Sequence, residues 1–391
     1  MYKIKTLNKI SPNGLEVLPR SEYEISSEII NPDGIILRSF NMHEMELPES
    51  LIAVARAGAG VNNIPISKCT ERGIVVFNTP GANANGVKEL VLAGLFLSSR
   101  KIIQGIEWAK TLIGSGDEVP KLIEKGKSQF AGPEIKGKTL GVIGLGAIGV
   151  MVANDASALG MKVIGYDPFI SVERAWRLSR STQKAVSLDD LIANSDYISI
   201  HAPLTDETKG MINKEKFAIM KKGVRLLNFA RNGLVNNSDL KEAIAEGIVS
   251  CYITDFSDEE LLKMENVIAL PHLGASTPES EDNCARMAAN QLKEYLECGN
   301  LINCVNFPDC EMPLNSGSRV VVINKNVPTM VGQITGLFAE KRLNIANMLN
   351  RHKGDYAYNI IDVDGTVSEE DVKALRAING IIMARIVKRA K

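Results

Sequence analysis

The chain reads as an α/β protein: two doubly wound domains with parallel sheets, then a small C-terminal α+β domain of βαββαβ order. Three observations carry this reading. Short apolar runs alternate with helix-period segments through the first 300 residues or so. A glycine-rich turn, Gly144-Leu145-Gly146-Ala147-Ile148-Gly149, follows an apolar strand and opens a helix. Residues 318–391 then repeat strand and helix beyond a segment holding Pro308, Pro313 and Gly317.

Taken in order, MYKIKTLNKI is polar and strand-like, without the apolar core or cleavage pattern of a secretory leader. DGIILRS (33–39), LIAVARAG (51–58) and GIVVFNTP (73–80) are buried parallel strands. Val87, Leu90, Val91, Gly94 and Leu95 form one buried face, and the spacing predicts a helix over about 85–112 that connects two domains. After a polar stretch at 113–138, KTLGVIG, MKVIGYDP, YISIHAPL, RLLNFAR, YITDFS and NVIALPH are further strands. Thr277-Pro278-Glu279 starts a helix with Cys284, Met287, Ala288, Leu292, Tyr295 and Leu296 along one stripe, ending near Gly299. The expected division is a discontinuous substrate-binding domain (1–90 and 280–305), a dinucleotide-binding domain (91–279), and a separate domain at 318–391 after a linker at 306–317. In that last domain RVVVINKN, YAYNIIDVDG and IIMARIVK are strands, and MVGQITGLFAEKR and EEDVKALRAI are helices.

Lys and Arg total 45 against 46 Asp and Glu, so charge gives no reason to expect a nucleic acid or an anionic membrane as partner. Anions must be bound by locally placed arginines. No apolar run is long enough to span a bilayer. The six cysteines show no CxxC spacing, which points to free thiols in a reducing cytoplasm and to no metal site.

The glycine turn has the context that a Rossmann-like dinucleotide site requires. Gly144 permits the tight turn, Gly146 lets a pyrophosphate approach the backbone, and Gly149 allows close packing of helix on strand. With Ala147 and Ile148, these open the helix whose N-terminus faces the phosphates. Asp167 ends the next strand, 167 − 144 = 23 positions on. A carboxylate there accepts bonds from the ribose hydroxyls and repels a 2′-phosphate, and no Arg or Lys follows within a few residues, so NAD is expected over NADP.

Hydride removal from an alcohol needs a base for the hydroxyl proton, and histidine suits that task near neutral pH. The chain has four: His43, His201, His272 and His352. His201 and His272 both follow apolar strands, where open α/β sheets place their ligands. Arg231 ends another strand and could grip a carboxylate bidentately, and Glu260 follows the strand before His272. Each alone could equally be a turn cap or a surface residue; the combination downstream of a dinucleotide turn is the signal.

LLNFARNGLVNNSDLKEAI, HAPLTDETKGMIN and VIALPHLGASTPES together resemble signatures of the D-isomer-specific 2-hydroxyacid dehydrogenases, and the resemblance covers essentially the whole chain. It implies His272 as acid/base, Glu260 as its partner with Glu259 the alternative, and Arg231 as the group binding the substrate carboxylate. It also implies cofactor contacts at His201, Pro203, Thr208 and Ala230, with Asp255 on the nicotinamide side. Arg38, Ser39, Arg56, Gly58, Ala59, Gly60 and Asn83 match substrate positions, the two arginines serving a phosphate. The loop after Glu260 is shorter than usual in the family, Asn232 stands for a glycine, and Asn62 stands for an aspartate.

Residues 318–391 resemble an ACT domain, a module that commonly binds amino acids between paired copies. Asn324, Asn326 and Asn344 fall where serine-regulated relatives contact serine; the alternative is a domain that only dimerises. Either way a homo-oligomer is expected. The implied reaction is NAD-dependent oxidation of D-3-phosphoglycerate to 3-phosphohydroxypyruvate, the first step of serine synthesis. The alternatives are a glycerate or hydroxypyruvate type of D-2-hydroxyacid dehydrogenase, or a non-catalytic NADH-sensing regulator.

Overall fold

In the computed structural model, which describes residues 1–315 and 317–387, the strands fall into three sheets. The first holds β1 (Tyr2–Leu7), β2 (Tyr23–Ser26), β3 (Gly34–Leu37), β4 (Ala53–Arg56) and β5 (Val75–Phe77). Its order is β2-β1-β3-β4-β5 and its pairings are parallel. The second holds β6 (Thr139–Ile143), β7 (Lys162–Tyr166), β8 (Gln183–Lys184), β9 (Tyr197–Ile200), β10 (Val224–Asn228), β11 (Val249–Thr254) and β12 (Val267–Ala269). It runs β12-β11-β10-β9-β6-β7-β8, again parallel. The order reverses between β6 and β9, the switch point where such sheets take their ligands. Strands covered on both faces, such as β3 and β9, are buried at every residue, which is why they read as continuous apolar runs.

The third sheet is antiparallel: β13 (Ser318–Lys325), β14 (Asn344–Lys353), β15 (Tyr356–Asp364) and β16 (Ile381–Ile386), in the order β14-β15-β13-β16. Helices Met330–Glu340 and Glu369–Ala377 cover one face.

The chain forms two compact units, Met1–Ala82 with Glu281–Lys391, and Asn83–Ser280. The boundary thus falls near residue 82 rather than 90, because the whole helix Ala84–Ser99 belongs to the second unit. There Val87, Val91 and Leu95 pack with Leu140, Val142, Leu227 and Phe229. That helix also stops earlier than expected. Arg100 is extended, and a second helix, Ile102–Lys110, restarts after it. The polar stretch 113–138 contains a further helix, Val119–Gly126, with Pro120 in its first turn.

The expected separation of 318–391 is not what the structure shows. Residues 301–310 pack rather than link: Leu301 bridges Cys310, Phe77 bridges Cys304, and the buried Asn306 side chain bonds to Val76 N, Ile74 O and Thr70 Oγ1. Along β13, Val320 and Val322 lie under the two helices, while Val321 and Ile323 join a core with Leu292, Tyr295, Leu296 and Phe307. The two central strands of the third sheet, β13 and β15, are therefore buried on both faces inside the first unit. Arg319, 1% exposed, fixes the join. It takes Asp362 bidentately (2.6 and 2.8 Å) and donates to the carbonyls of Cys298 (3.0 Å), Met312 (2.9 Å) and Pro313 (2.6 Å). Arg385 lies 4.4 Å over the Tyr295 ring and donates to Leu296 O.

Removing one partner of such a pair leaves a buried charge. Asp362→Ala should cost about 3–5 kcal/mol of unfolding free energy, measured by urea denaturation. A loss below about 1 kcal/mol would show that Arg319 finds compensation in its carbonyls alone.

Candidate active site

In the second unit the glycine turn has the geometry its sequence predicts. Gly144 has φ +88°, and a Cβ there would lie 2.8 Å from His201 C and O. A Cβ on Gly149 would lie 2.0 Å from Gly144 O, so only glycine lets the helix Ala147–Ala158 close on the turn. Gly146 is different: its open face meets nothing within 4 Å except Arg174 Nη1, at 3.9 Å. It is the N-cap of that helix and no side chain caps it, so the first-turn N–H groups are left for an anion.

Asp167 accepts from Leu145 N and Phe169 N, both at 2.8 Å, and so ties the turn to the end of β7. It also lines a 530 Å³ cavity with Leu145, Pro168, Ile170, Leu178 and Val186. His201 follows β9, with Nε2 2.8 Å from Ser199 Oγ and a buried Nδ1 that has no partner. Burial pushes this imidazole down to about 4, so it stays neutral. Thr208 Oγ1 donates to Pro203 O at 2.6 Å, closing the turn beyond it. An uncapped helix end, an open glycine and, past the neighbouring strand, an unpartnered imidazole nitrogen fit a dinucleotide, as does the cavity that Leu145 and Asp167 line.

Arg174 is a residue that the sequence reading missed. The search for cations stopped a few positions past Asp167, but the short helix Val172–Ala175, capped by Ser171, brings Arg174 back to Gly146. Arg177 pairs with Glu173, whereas the Arg174 guanidinium makes no ion pair among the described residues.

The ends of β10, β11 and β12 carry the other candidates. Asn228, 1% exposed, accepts from the backbone N–H of Ala230 and Arg231 and donates to Arg231 O (2.9 Å). It fixes the loop that presents the exposed Arg231, another role the sequence did not announce. Asp255, 2% exposed, follows β11, and neither of its oxygens has a hydrogen-bond partner of good geometry. Burial raises its pKa; His272, the Gly274 amide and Arg231 pull the other way. The exposed His272 follows β12, its ring 4.8 Å from that of Phe256.

The expected pairing of Glu260 with His272 is not formed: no hydrogen bond or ion pair joins them among the described residues. Glu260 sits in the short helix Glu259–Leu262, held by Asp258 at its N-cap, and lines a separate 320 Å³ cavity with Lys241, Ile244 and Lys263. Glu259, the alternative, pairs with Lys263. Asn83 precedes the helix Ala84–Ser99 without capping it.

In the first unit, Arg38 pairs with Glu281, and Arg56 Nε donates to Arg38 O at 3.1 Å. The Arg56 guanidinium is tucked under the loop 58–60; a Cβ on Gly58, at φ +156°, would lie 2.2 Å from Nη1. Asn78 Nδ2 holds Ala59 O at 2.7 Å, while Ser39 N donates to Asn8. Arg38, Arg56 and Gly58–Gly60 thus form one cluster. The three asparagines of the C-terminal sheet do not. Asn324 is buried and spent on Lys325 O and Asn359, and Asn326 bonds to Gly354 O. Asn344 bonds to Asp364 at the far end of β15, seven residues from Ala357, the partner of Asn324. At the usual rise per residue that is about 20 Å.

If Arg174 covers the pyrophosphate, Arg174→Ala should weaken NADH about three- to tenfold, read by fluorescence titration, with adenosine binding unaffected. An unchanged NADH affinity would make Arg174 a surface residue.

The model of the D-isomer specific 2-hydroxyacid dehydrogenase NAD binding domain matches residues 95–274. Proteins named D-3-phosphoglycerate dehydrogenase are similar over most of the chain. One from Archaeoglobus fulgidus is 36% identical over 78% of this chain, which spans 58% of that relative's length. One from Escherichia coli is 32% identical over 87% of this chain and 82% of its own. Among solved structures, an NAD+-bound 3-phosphoglycerate dehydrogenase of Entamoeba histolytica matches with TM-score 0.58 and 29% identity, over 78% of this chain and 98% of that one. D-mandelate dehydrogenase of Rhodotorula graminis matches with TM-score 0.66 at 23% identity, a likeness of fold. With its glycine turn, arginine and histidine delivered to one sheet edge inside an NAD-binding domain, this chain belongs to the D-isomer-specific 2-hydroxyacid dehydrogenase family, the one that includes these D-3-phosphoglycerate dehydrogenases.

Proposed function

We propose that the chain is an NAD-dependent dehydrogenase that oxidises D-3-phosphoglycerate to 3-phosphohydroxypyruvate. The observation that carries this reading is the placing of Gly146, Arg231 and His272 past the C-terminal ends of β6, β10 and β12, within one parallel sheet. The names of the relatives support the choice of substrate.

Bound at the glycine turn, NAD would supply the ring that accepts hydride from C2 of the alcohol. The chain's own residues do the rest. His272 takes the hydroxyl proton in oxidation and returns it in reduction. Arg231 grips the substrate carboxylate, and its charge polarises the carbonyl formed next to it. Arg38 and Arg56 are assigned to the phosphate, which needs cationic donors that a phosphate-free acid would not require. Ser39, Gly58, Ala59, Gly60 and Asn83 complete the substrate contacts, and Pro203, Thr208 and Ala230 those to the cofactor.

The C-terminal sheet is proposed as a regulatory module for an amino acid such as serine. Within one copy Asn324 and Asn344 are too far apart to share a small ligand, so a site using both draws on two copies. The functional protein is accordingly a homo-oligomer.

His272→Ala should lower kcat by about 10²–10⁴-fold while leaving NADH binding nearly intact. Equal loss of both would make His272 structural. NADH oxidation with 3-phosphohydroxypyruvate beside hydroxypyruvate, with and without L-serine, tests the substrate. Preference for the phosphorylated acid and inhibition by serine are expected. Preference for hydroxypyruvate would keep the chemistry but overturn the roles of Arg38 and Arg56.

A further inference from the structure

We propose that Glu281 is a specificity-determining residue: its carboxylate competes with the phosphate of the substrate for Arg38, and so tempers the preference for phosphorylated acids. The inference rests on the dehydrogenase reading and on the assignment of Arg38 and Arg56 to that phosphate. It concerns how this chain adjusts the cationic cluster of its first unit.

The cluster is rigid at its base. Leu37 of β3 pairs with Arg56 of β4, so Arg38 is the first residue past one strand end and Arg56 the last of its neighbour. Arg38 O accepts from Arg56 Nε and from Asn63 Nδ2, both at 3.1 Å. Asn8 Oδ1 takes the next amide, Ser39 N, also at 3.1 Å. The Arg56 guanidinium is tucked under Gly58. With the Arg38 backbone clamped and Arg56 enclosed, the part of the cluster left to adjust is the Arg38 side chain, and Nη1 of that side chain pairs with Glu281 Oε1.

Glu281 is delivered to Arg38 by a fixed element, the helix Pro278–Cys298. The stretch just after Glu281 packs on the helix Pro12–Leu15 so closely that a Cβ on Gly14 would lie 2.6 Å from Arg286 N. The neighbouring acid, Asp282, is engaged by Ser11 Oγ and by Asn13 Nδ2 (3.1 Å), and Glu281 is the one that turns to Arg38. One turn on, burial pushes the Cys284 thiol up; Arg38 and Arg56 pull it down and Glu281 adds to the rise, as expected of a group close to all three charges.

Two guanidinium groups less one carboxylate leave one net positive charge, against a phosphate that carries close to two negative ones near neutral pH. Without Glu281 the same phosphate would meet two. The pair is also easily opened: its side chains are 33% and 46% exposed, and an ion pair so well screened by water is weak. A phosphate brings more charge and more acceptor oxygens, so it displaces the carboxylate from Arg38, but against competition. A substrate without the phosphate never requires the exchange. Glu281 therefore weakens the binding of phosphorylated acids selectively and narrows the gap between the two kinds of substrate.

The test measures kcat and KM in the full chain, with 3-phosphohydroxypyruvate and with hydroxypyruvate, for wild type, Glu281→Gln, Arg38→Ala and the double variant. The readout is the ratio of kcat/KM between the two acids; loss of fold or of NADH binding lowers both together and leaves that ratio fixed. Glu281→Gln should raise the ratio by about three- to tenfold, mainly through a lower KM for the phosphorylated acid. Arg38→Ala should lower it by at least about tenfold, and in that background Glu281→Gln should change it by less than about twofold. A ratio unchanged or lowered in Glu281→Gln, while Arg38→Ala lowers it, overturns the proposal: the pair is then a surface contact or one that orients Arg38, and the phosphate assignment stands. An equal rise with and without Arg38 places the effect of Glu281 elsewhere and overturns it too. A ratio unchanged in Arg38→Ala overturns the phosphate assignment and this proposal with it. A wild-type chain that binds NADH but reduces neither acid would overturn the dehydrogenase reading itself.

Discussion

The site depends on one row of paired residues. Ile143, Ile200, Asn228, Thr254 and Ala269 stand opposite one another across β6, β9, β10, β11 and β12. One step further on come Gly144, His201, Phe229, Asp255 and Leu270. Because side chains alternate along a strand, a slip of one residue in any of these pairings would send that strand's contribution to the opposite face. Register is therefore what converts five separate stretches of sequence into one constellation. It is reinforced from within: Thr254 Oγ1 donates to Asn228 O at 2.8 Å, and Asn228 in turn shapes the loop that bears Arg231.

How much of this was legible in the sequence follows from where each signal is stored. The glycine turn is a local signal, since Gly144 must adopt φ +88° against His201 and Gly149 must pass within van der Waals contact of Gly144 O. The inner strands are legible because both faces are buried. The strands that left little trace are edges: β2 and β8 are short and β14 is largely exposed, so none carries a continuous apolar run. The break at Arg100 was hidden because the apolar period continues through Ile102 and Ile106, which are exposed.

The site itself was legible by residue type and less so by pairing. Arg231 and His272 could be chosen because charged residues ending apolar strands are conspicuous. Which carboxylate partners His272 could not, because four acids, Asp255, Asp258, Glu259 and Glu260, lie within six positions of one another. Asp258 is consumed as a helix cap, Glu259 pairs with Lys263, Glu260 is exposed on the same short helix, and of the four Asp255 alone is buried. Arg174 shows the same limit. Its seven-residue distance from Asp167 says nothing until a one-turn helix folds it back to Gly146.

The two histidines at this edge illustrate why burial, rather than residue type, sets chemical character. His201 is enclosed beside Ser199 and its imidazole is pushed down to about 4, so across the neutral range it offers a fixed pattern of one donor and one acceptor. Such a group suits a neutral contact to the cofactor and is unsuited to cycling a proton. His272, by contrast, is exposed, and its ring meets that of Phe256 edge to face. Identical side chains placed on one sheet edge thus meet different surroundings, one held beside Ser199 and one open to solvent. The difference follows from what each strand end packs against, since desolvation disfavours the charged form of an enclosed imidazole.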